Sequence, residues 1–186
     1  MEGLSDVNEW FLVGGGNDGG GLPVEYDELR AVLVRNTTPG SLSTRCGPQL
    51  NKRSAVAKLC PTRDVVDHRQ LNNSIRNDLL QLGWEAEKKV HGQMAVDFHK
   101  NGVFVEVQFG KYAFAAENLH VKMPLIRHRY GCAASRMFVL VVPTIAACRR
   151  MCSGVASFES VLRNYVLPPV FGNRFEYPLA VVGVNF

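Results

Sequence analysis

Apolar and polar residues alternate on both sides of Asn101-Gly102, near the middle of the chain. This dipeptide favours the type I′ turn, in which both central residues have positive φ, and the strand-forming residues around it predict a β-hairpin. Counting outward from a two-residue turn places Asp97 directly opposite Glu106, on the face that Gln108 also occupies. The other face of the hairpin is apolar and consists of Val103, Val105, Val107 and Phe109.

The two opposed carboxylates of the hairpin are the candidate chemistry of this sequence. Directly opposed residues have Cβ atoms roughly 5 Å apart, and like charges at that distance destabilise a sheet unless a cation separates them. A hard divalent cation such as Mg²⁺ takes oxygen ligands and is a suitable occupant. An exposed hairpin whose acidic face is merely solvated has the same pattern, so the spacing of Asp97, Glu106 and Gln108 alone does not establish a metal site.

Hydrophobic periodicity predicts helices and strands on both sides of the hairpin. Apolar residues recur at the helical period over 64–82, whereas the almost wholly apolar segment 136–142 is typical of a central strand. Pro124 interrupts the helix predicted after the hairpin, since an interior proline costs about 3 kcal/mol. The remaining predictions are helices at 24–34, 113–129, 144–150 and 160–166, a strand at 179–184 and a connection at 85–93. This alternation predicts an α/β fold with a mixed β-sheet core flanked by helices.

Length and composition favour one globular domain over residues 1–186. The glycine-rich tract at 14–21 suggests that 1–22 is flexible, although 7–13 could form a strand or a helical turn. Residues 36–60 read as a long loop. No apolar run approaches the roughly 20 residues of a membrane span, and no signal peptide is recognisable, so a cytoplasmic protein is expected. The net charge of +4 permits nucleic-acid binding without requiring it.

Several separated blocks resemble one family. The run Val-Glu-Val-Gln-Phe-Gly-Lys-Tyr-Ala-Phe at 105–114 is similar to the active-site strand of the BglII-type restriction endonucleases, most closely their BstYI branch. These enzymes belong to the PD-(D/E)xK nuclease superfamily, and in this branch Gln replaces the usual Lys. The Val121-Lys122 pair, Met-x-Ser-Gly at 151–154 and the final strand agree in order, so the resemblance covers roughly 61–186 and does not extend well over 1–60.

The resemblance implies a restriction-endonuclease-like fold and a homodimeric type II enzyme. Such an enzyme would use Mg²⁺ to cut double-stranded DNA within a palindrome centred on GATC, of the form purine-GATC-pyrimidine. Asp97 and Glu106 would hold the metal with the carbonyl of Val107, and Gln108 would orient the attacking water. Lys111 and the Ser153-Gly154 loop would face the major groove.

The poorly matching N-terminal region leaves two questions open. Some family members use a further acidic residue from that region, and here only Glu25 and Glu28 could substitute for it. A second possibility is a catalytically inactive DNA-binding remnant of the same fold. A third is a structural or interaction protein whose acidic hairpin face is simply wet. Metal-dependent cleavage and salt-dependent DNA affinity distinguish these three classes.

Overall fold

The computed structural model describes residues 8–13, 22–38, 44–46, 64–109, 113–151, 155–168 and 178–186. A six-stranded mixed sheet lies at its centre and is made of β1 (Asn8–Val13), β4 (Glu85–His91), β5 (Met94–Lys100), β6 (Val103–Val107), β7 (Met137–Pro143) and β8 (Leu179–Val184). The strand order is β1-β8-β7-β6-β5-β4, with parallel pairing at β6-β7 and β7-β8 and antiparallel pairing elsewhere. A separate antiparallel pair joins β2 (Thr44–Cys46) to β3 (Asp64–Val66).

Helices cover both faces of this sheet. They are α1 (Val24–Thr37), α2 (His68–Gln81), α3 (Ala113–Glu117), the π-helical segment π1 (Asn118–Lys122), α4 (Met123–Ala134), α5 (Ile145–Cys148), α6 (Phe158–Val161) and the π-helical segment π2 (Leu162–Val166). Apolar residues of α1 and α2 pack on one face, and those of α3, π1, α4 and α6 pack on the other. Every residue of β7 is buried, as expected for a central parallel strand. The predicted α/β fold with a mixed sheet flanked by helices is confirmed.

The hairpin has the predicted turn and register. Asn101 and Gly102 both have positive φ, 44° and 83°, and His99 pairs with Phe104. The apolar face is confirmed, but the opposite face is not a wet surface, because Phe104 packs there in a second core under α4. Glu106 on that face is therefore buried, with only 3% of its surface exposed. The acidic face of the hairpin is enclosed by protein.

Four predicted segments differ in more than the position of an element's last few residues. The connection predicted at 85–93 contains β4, an edge strand with mostly exposed side chains, so it carries no apolar signal. The helix predicted from residue 64 begins only at His68, because the Asp67 side chain accepts hydrogen bonds from the first-turn N–H groups and caps it. Segment 8–13, predicted within a flexible region, is an edge strand, and the predicted loop at 36–60 contains the end of α1 and all of β2. Apart from Leu22 and Thr38, the rest of those two segments lies outside the described residues.

A π-helical turn explains how the chain accommodates Pro124. The N–H of Met123 donates to the carbonyl of Asn118, five residues earlier, so the turn before the proline is wider than an α-helical turn. Pro124 then lies in the first turn of α4, where its missing N–H costs little. The interruption predicted at this proline is therefore a change of helix type. Of the helices described, none is long and apolar enough to cross a bilayer.

Candidate active site

The candidate site lies where β5 and β6 separate. Their ladder runs from Lys100↔Val103 to Phe98↔Val105, and the next position on each strand is Asp97 and Glu106. Here the Asp97 side chain enters the gap, and its Oδ2 accepts a hydrogen bond of 2.7 Å from the backbone N–H of Val107. The sequence predicts that Asp97 lies directly opposite Glu106. In the structure the Asp97 carboxylate binds the backbone N–H of Val107, the residue that follows Glu106.

Burial dominates the electrostatics of the two acids. Burial raises the pKa of Glu106 to about 8, and the nearby charge of Asp97 adds to this shift. Burial also raises the pKa of Asp97, although the Val107 N–H favours its charged form. A buried pair of carboxylates is costly unless a cation neutralises it. The site therefore favours binding of positive charge.

One cation that the protein itself supplies is Lys122. Its Nζ lies 2.7 Å from Oε1 of Glu106, and only 15% of its side chain is exposed. Lys122 is the last residue of π1, and Asn118 is the first. The same helical segment thus places an ammonium group and an amide against the site.

Gln108 is held by both its backbone and its side chain. Its N–H donates to the carbonyl of Val141 at 2.7 Å, which anchors the end of β6 to β7. Its Oε1 accepts a hydrogen bond of 3.3 Å from Nδ2 of Asn118, and the residue is 8% exposed. These contacts fix the orientation of the carboxamide beside Glu106.

A cavity of about 200 Å³ opens beside Asp97 on the side of α2 and β4. Its polar lining comes from Asn72, Asn73 and Arg76 of α2 and from Glu87 of β4. The guanidinium of Arg76 is 2.9 Å from the Glu87 carboxylate, and the buried Oδ1 of Asn72 has no hydrogen-bond partner among the described residues. The cavity therefore offers both donors and acceptors next to the Asp97 carboxylate.

Sequence reasoning missed Glu87, Asn118 and Lys122. Glu87 has the unusual φ of 55°, and the pairs Ala86↔Phe98 and Lys88↔Val96 flank it, which puts it level with Asp97. The same counting that related Asp97 to Glu106 would have found Glu87 if β4 had been predicted. Asn118 and Lys122 belong to a helical segment that packs against the site, and no local sequence pattern reveals that packing.

Glu25 and Glu28 do not serve as the additional acidic residue of the site. Glu25 accepts a hydrogen bond from Asn101 in the hairpin turn, and Glu28 binds Lys100 and the indole N–H of Trp84. Both carboxylates are thus engaged at the turn, at the opposite end of the hairpin from the acids. Of the other predicted site residues, Lys111, Ser153 and Gly154 lie outside the described residues, and the carbonyl of Val107 lies at the end of β6.

Only a few acidic side chains of the site could supply oxygen ligands to a metal ion. In the part of the chain that the structure describes, no group of three or more His, Cys, Asp or Glu side chains is arranged to hold a metal ion. Carboxylate and backbone carbonyl oxygens, the atoms of the predicted ligands Asp97, Glu106 and Val107, are the hard ligands that Mg²⁺ takes together with water and substrate phosphate. Three protein ligands are too few to fill the octahedral coordination of Mg²⁺, so any such ion would keep several waters.

Comparison with known proteins agrees with this architecture. The family model described as Restriction endonuclease BglII/BglIII matches residues 22–184. The crystal structure of restriction endonuclease BglII complexed with a DNA 16-mer is similar in fold, with a TM-score of 0.73 and 18% sequence identity, over 96% of this chain and 76% of that one. No curated protein sequence matches significantly. The BglII-type resemblance is confirmed, and the closer likeness to the BstYI branch stays a prediction.

Proposed function

Because the chain belongs to the BglII/BglIII family of restriction endonucleases, we propose that it cuts double-stranded DNA at a palindrome centred on GATC, as a Mg²⁺-dependent homodimer. The observation that carries the metal requirement is the buried Glu106 carboxylate beside Asp97. Two acids in such a position need a cation when both are ionised. The family is one of type II site-specific deoxyribonucleases, and the residues at the site supply the oxygen ligands that phosphodiester hydrolysis with a hard metal requires.

Asp97, Glu106 and the Val107 carbonyl would hold Mg²⁺. When bound, the metal would supply the positive charge that favours ionisation of a water molecule and stabilises the negative phosphate. The Val107 N–H keeps the Asp97 carboxylate at the end of β6 and favours its charged form. Removal of the Glu106 carboxylate thus removes a ligand without breaking a backbone contact, whereas removal of the Asp97 carboxylate also leaves the Val107 N–H without this acceptor.

Gln108 would orient the attacking water. A carboxamide cannot accept a proton at neutral pH, but it can donate and accept hydrogen bonds. The hydrogen bond from Asn118 reduces the number of orientations open to this amide, which favours a water held in one place. The polar cavity beside Asp97, with its Arg76 guanidinium and two Asn side chains, would accommodate the sugar–phosphate backbone.

A two-fold homodimer follows from the proposed palindrome, because a palindrome presents the same half-site twice. The structural relative is a DNA complex, which supports duplex DNA as the substrate. In this proposal Lys111 and the Ser153-Gly154 loop read the outer base pair. Lysine donates to O6 and N7 of guanine or to N7 of adenine, so either purine is accepted and the site takes the form purine-GATC-pyrimidine.

The main test is cleavage of an unmethylated plasmid with Mg²⁺, followed by sequencing of the ends. We expect cuts at GATC-centred sites by the wild type and none by Asp97→Ala or Glu106→Ala, which should still fold and bind DNA. Glu85→Gln, which changes an exposed acid on β4, is the matched control and should cut normally. Near-normal cleavage by either Ala variant contradicts the site. A wild type that binds a GATC duplex but never cuts it is instead the inactive remnant.

Base reading by Lys111 has a separate test. Asn pairs bidentately with adenine, so Lys111→Asn should shift preference toward an outer A·T pair by about 1 kcal/mol. Cleavage rates on AGATCT, GGATCC and the mixed site measure this preference. Equal slowing at all three sites, with a shallower salt dependence, would show that Lys111 contacts a phosphate instead.

A further inference from the structure

The Lys122–Glu106 pair is the one buried ion pair that touches a proposed metal ligand among the residues described. Its two charged atoms lie 2.7 Å apart, and the side chains are 15% and 4% exposed. Buried ion pairs contribute little net stability, because desolvation offsets their attraction. A position that only stabilised the fold would be served as well by an apolar residue, so the presence of this pair at the site calls for a functional reason.

The helix that carries Lys122 is distorted at this position. Residues Asn118–Lys122 form a π-helical turn, and its first and last residues contact Gln108 and Glu106 respectively. π-helical turns inside α-helices occur often at functional sites because they redirect side chains at some cost in helix stability. Two polar contacts from this one turn meet two neighbouring residues of the proposed active-site strand.

A bound divalent cation and the Lys122 ammonium compete for Glu106. Two positive groups that approach the same carboxylate oxygens repel each other by several kcal/mol at an effective dielectric constant of about 20. The ammonium is attached through a flexible four-carbon stem and has three donors and no acceptor. It can therefore leave Glu106 without any movement of the backbone. A phosphate oxygen bound beside the metal ligands would present an anion to receive it.

We propose that Lys122 is a further catalytic residue of this enzyme. In the metal-free protein its ammonium donates a hydrogen bond to Glu106, and when the metal and DNA bind it moves to a non-bridging oxygen of the scissile phosphate. There it stabilises the negative charge that develops during hydrolysis. Gln108 cannot do this in the same way, because its side chain is neutral. The inference rests on the proposed function, because it assigns a role within the same site.

The direct test follows the Lys122 ammonium by ¹H–¹⁵N NMR of the lysine side chains in wild-type protein. The resonance is assigned by its loss in Lys122→Met, and it should be visible without metal because the group is buried and hydrogen-bonded. Saturation with Mg²⁺ should shift or broaden it, while the resonance of Lys88, which pairs with Glu85 at the surface, should not change. A Lys122 resonance that is absent without metal, or unchanged by saturating Mg²⁺, overturns the inference.

Cleavage kinetics provide the second test. Lys122→Met should lower kcat by about 100-fold or more, the effect of removing one charged donor from a transition state, with KM for DNA changed by less than about threefold. Lys122→Arg should recover at least about tenfold of that loss, because it restores a charged donor. Lys88→Met is the matched control and should cut at the wild-type rate. A Lys122→Met enzyme with wild-type kcat contradicts the proposal.

Stability measurements separate a catalytic role from a failure to fold. In chelator, Lys122→Met should melt below the wild type, and Mg²⁺ should raise its melting temperature more than it raises that of the wild type, because no ammonium has to be displaced. Equal metal-induced shifts in both proteins would indicate a purely structural pair and overturn the inference. If calorimetry detects no Mg²⁺ binding and the plasmid is never cut, the proposed function fails as well. If Mg²⁺ binds and the plasmid is cut, a negative Lys122 result refutes this inference alone.

Discussion

Replacement of Glu106 by Gln should change how the stability of the metal-free protein depends on pH. Burial and the neighbouring Asp97 raise the pKa of Glu106 from 4.5 to about 8. Between these two values the folded state binds more protons than the unfolded state. The contribution of Glu106 to stability is therefore fully present below about pH 4.5, falls as the pH rises and is lost above about pH 8. Gln does not ionise, so Glu106→Gln should lose most of this dependence.

The size of this pH dependence follows from the pKa shift of Glu106. At about 1.4 kcal/mol per pKa unit, a change from 4.5 to about 8 corresponds to roughly 5 kcal/mol. We expect a measured difference of roughly 2–5 kcal/mol between pH 5 and pH 9, because the unfolded chain retains some structure. Mg²⁺ should reduce the loss, because the ionised pair then has a cation beside it.

Urea unfolding in chelator at several pH values, at one fixed protein concentration, measures this dependence. The absolute stability of Glu106→Gln can change in either direction, since the variant replaces the ion pair with Lys122 by a neutral hydrogen bond, and the slope with pH is the decisive quantity. Glu85→Gln is the matched control, because its carboxylate is exposed and pairs with Lys88 at the surface. Parallel pH profiles of the wild type and Glu106→Gln would refute the assignment of the titrating group.

Two further predictions concern the amide and the turn. Gln108→Leu should lose most cleavage activity, whereas Gln108→Glu should retain part of it or prefer another metal, since a third carboxylate adds an oxygen ligand. Single-turnover cleavage rates with Mg²⁺ and with Mn²⁺ measure both effects. Cleavage by the Leu variant at the wild-type rate would exclude a direct role of Gln108. Gly102→Ala should destabilise the fold by about 2–4 kcal/mol, because φ is 83° and the added Cβ would collide with the Ala134 carbonyl. Gly92→Ala, also at positive φ but with open space around it, is the control and should cost about 1 kcal/mol in thermal or urea unfolding.

Local sequence patterns determined the hairpin at the centre of the molecule. The Asn101-Gly102 turn, the strand alternation around it and the resulting relation between Asp97 and Glu106 depend on residues within a few positions of each other, and the structure reproduces the turn and the paired register. The apolar strands β7 and β8 were found for the same reason, because each is buried along its whole length and so carries a continuous hydrophobic signal.

Only the tertiary structure decided what surrounds the two acids. Strand β4 has mostly polar, exposed side chains and becomes a strand because β5 offers it an open edge, and this pairing brings Glu87 level with Asp97. Lys122 reaches Glu106 across 16 positions of sequence, through a helix packed on the sheet. The same packing buries the acidic face and raises the pKa of Glu106. Charge and burial at this site depend on which distant segments pack together, and hydrophobic periodicity within one segment carries no information on that choice.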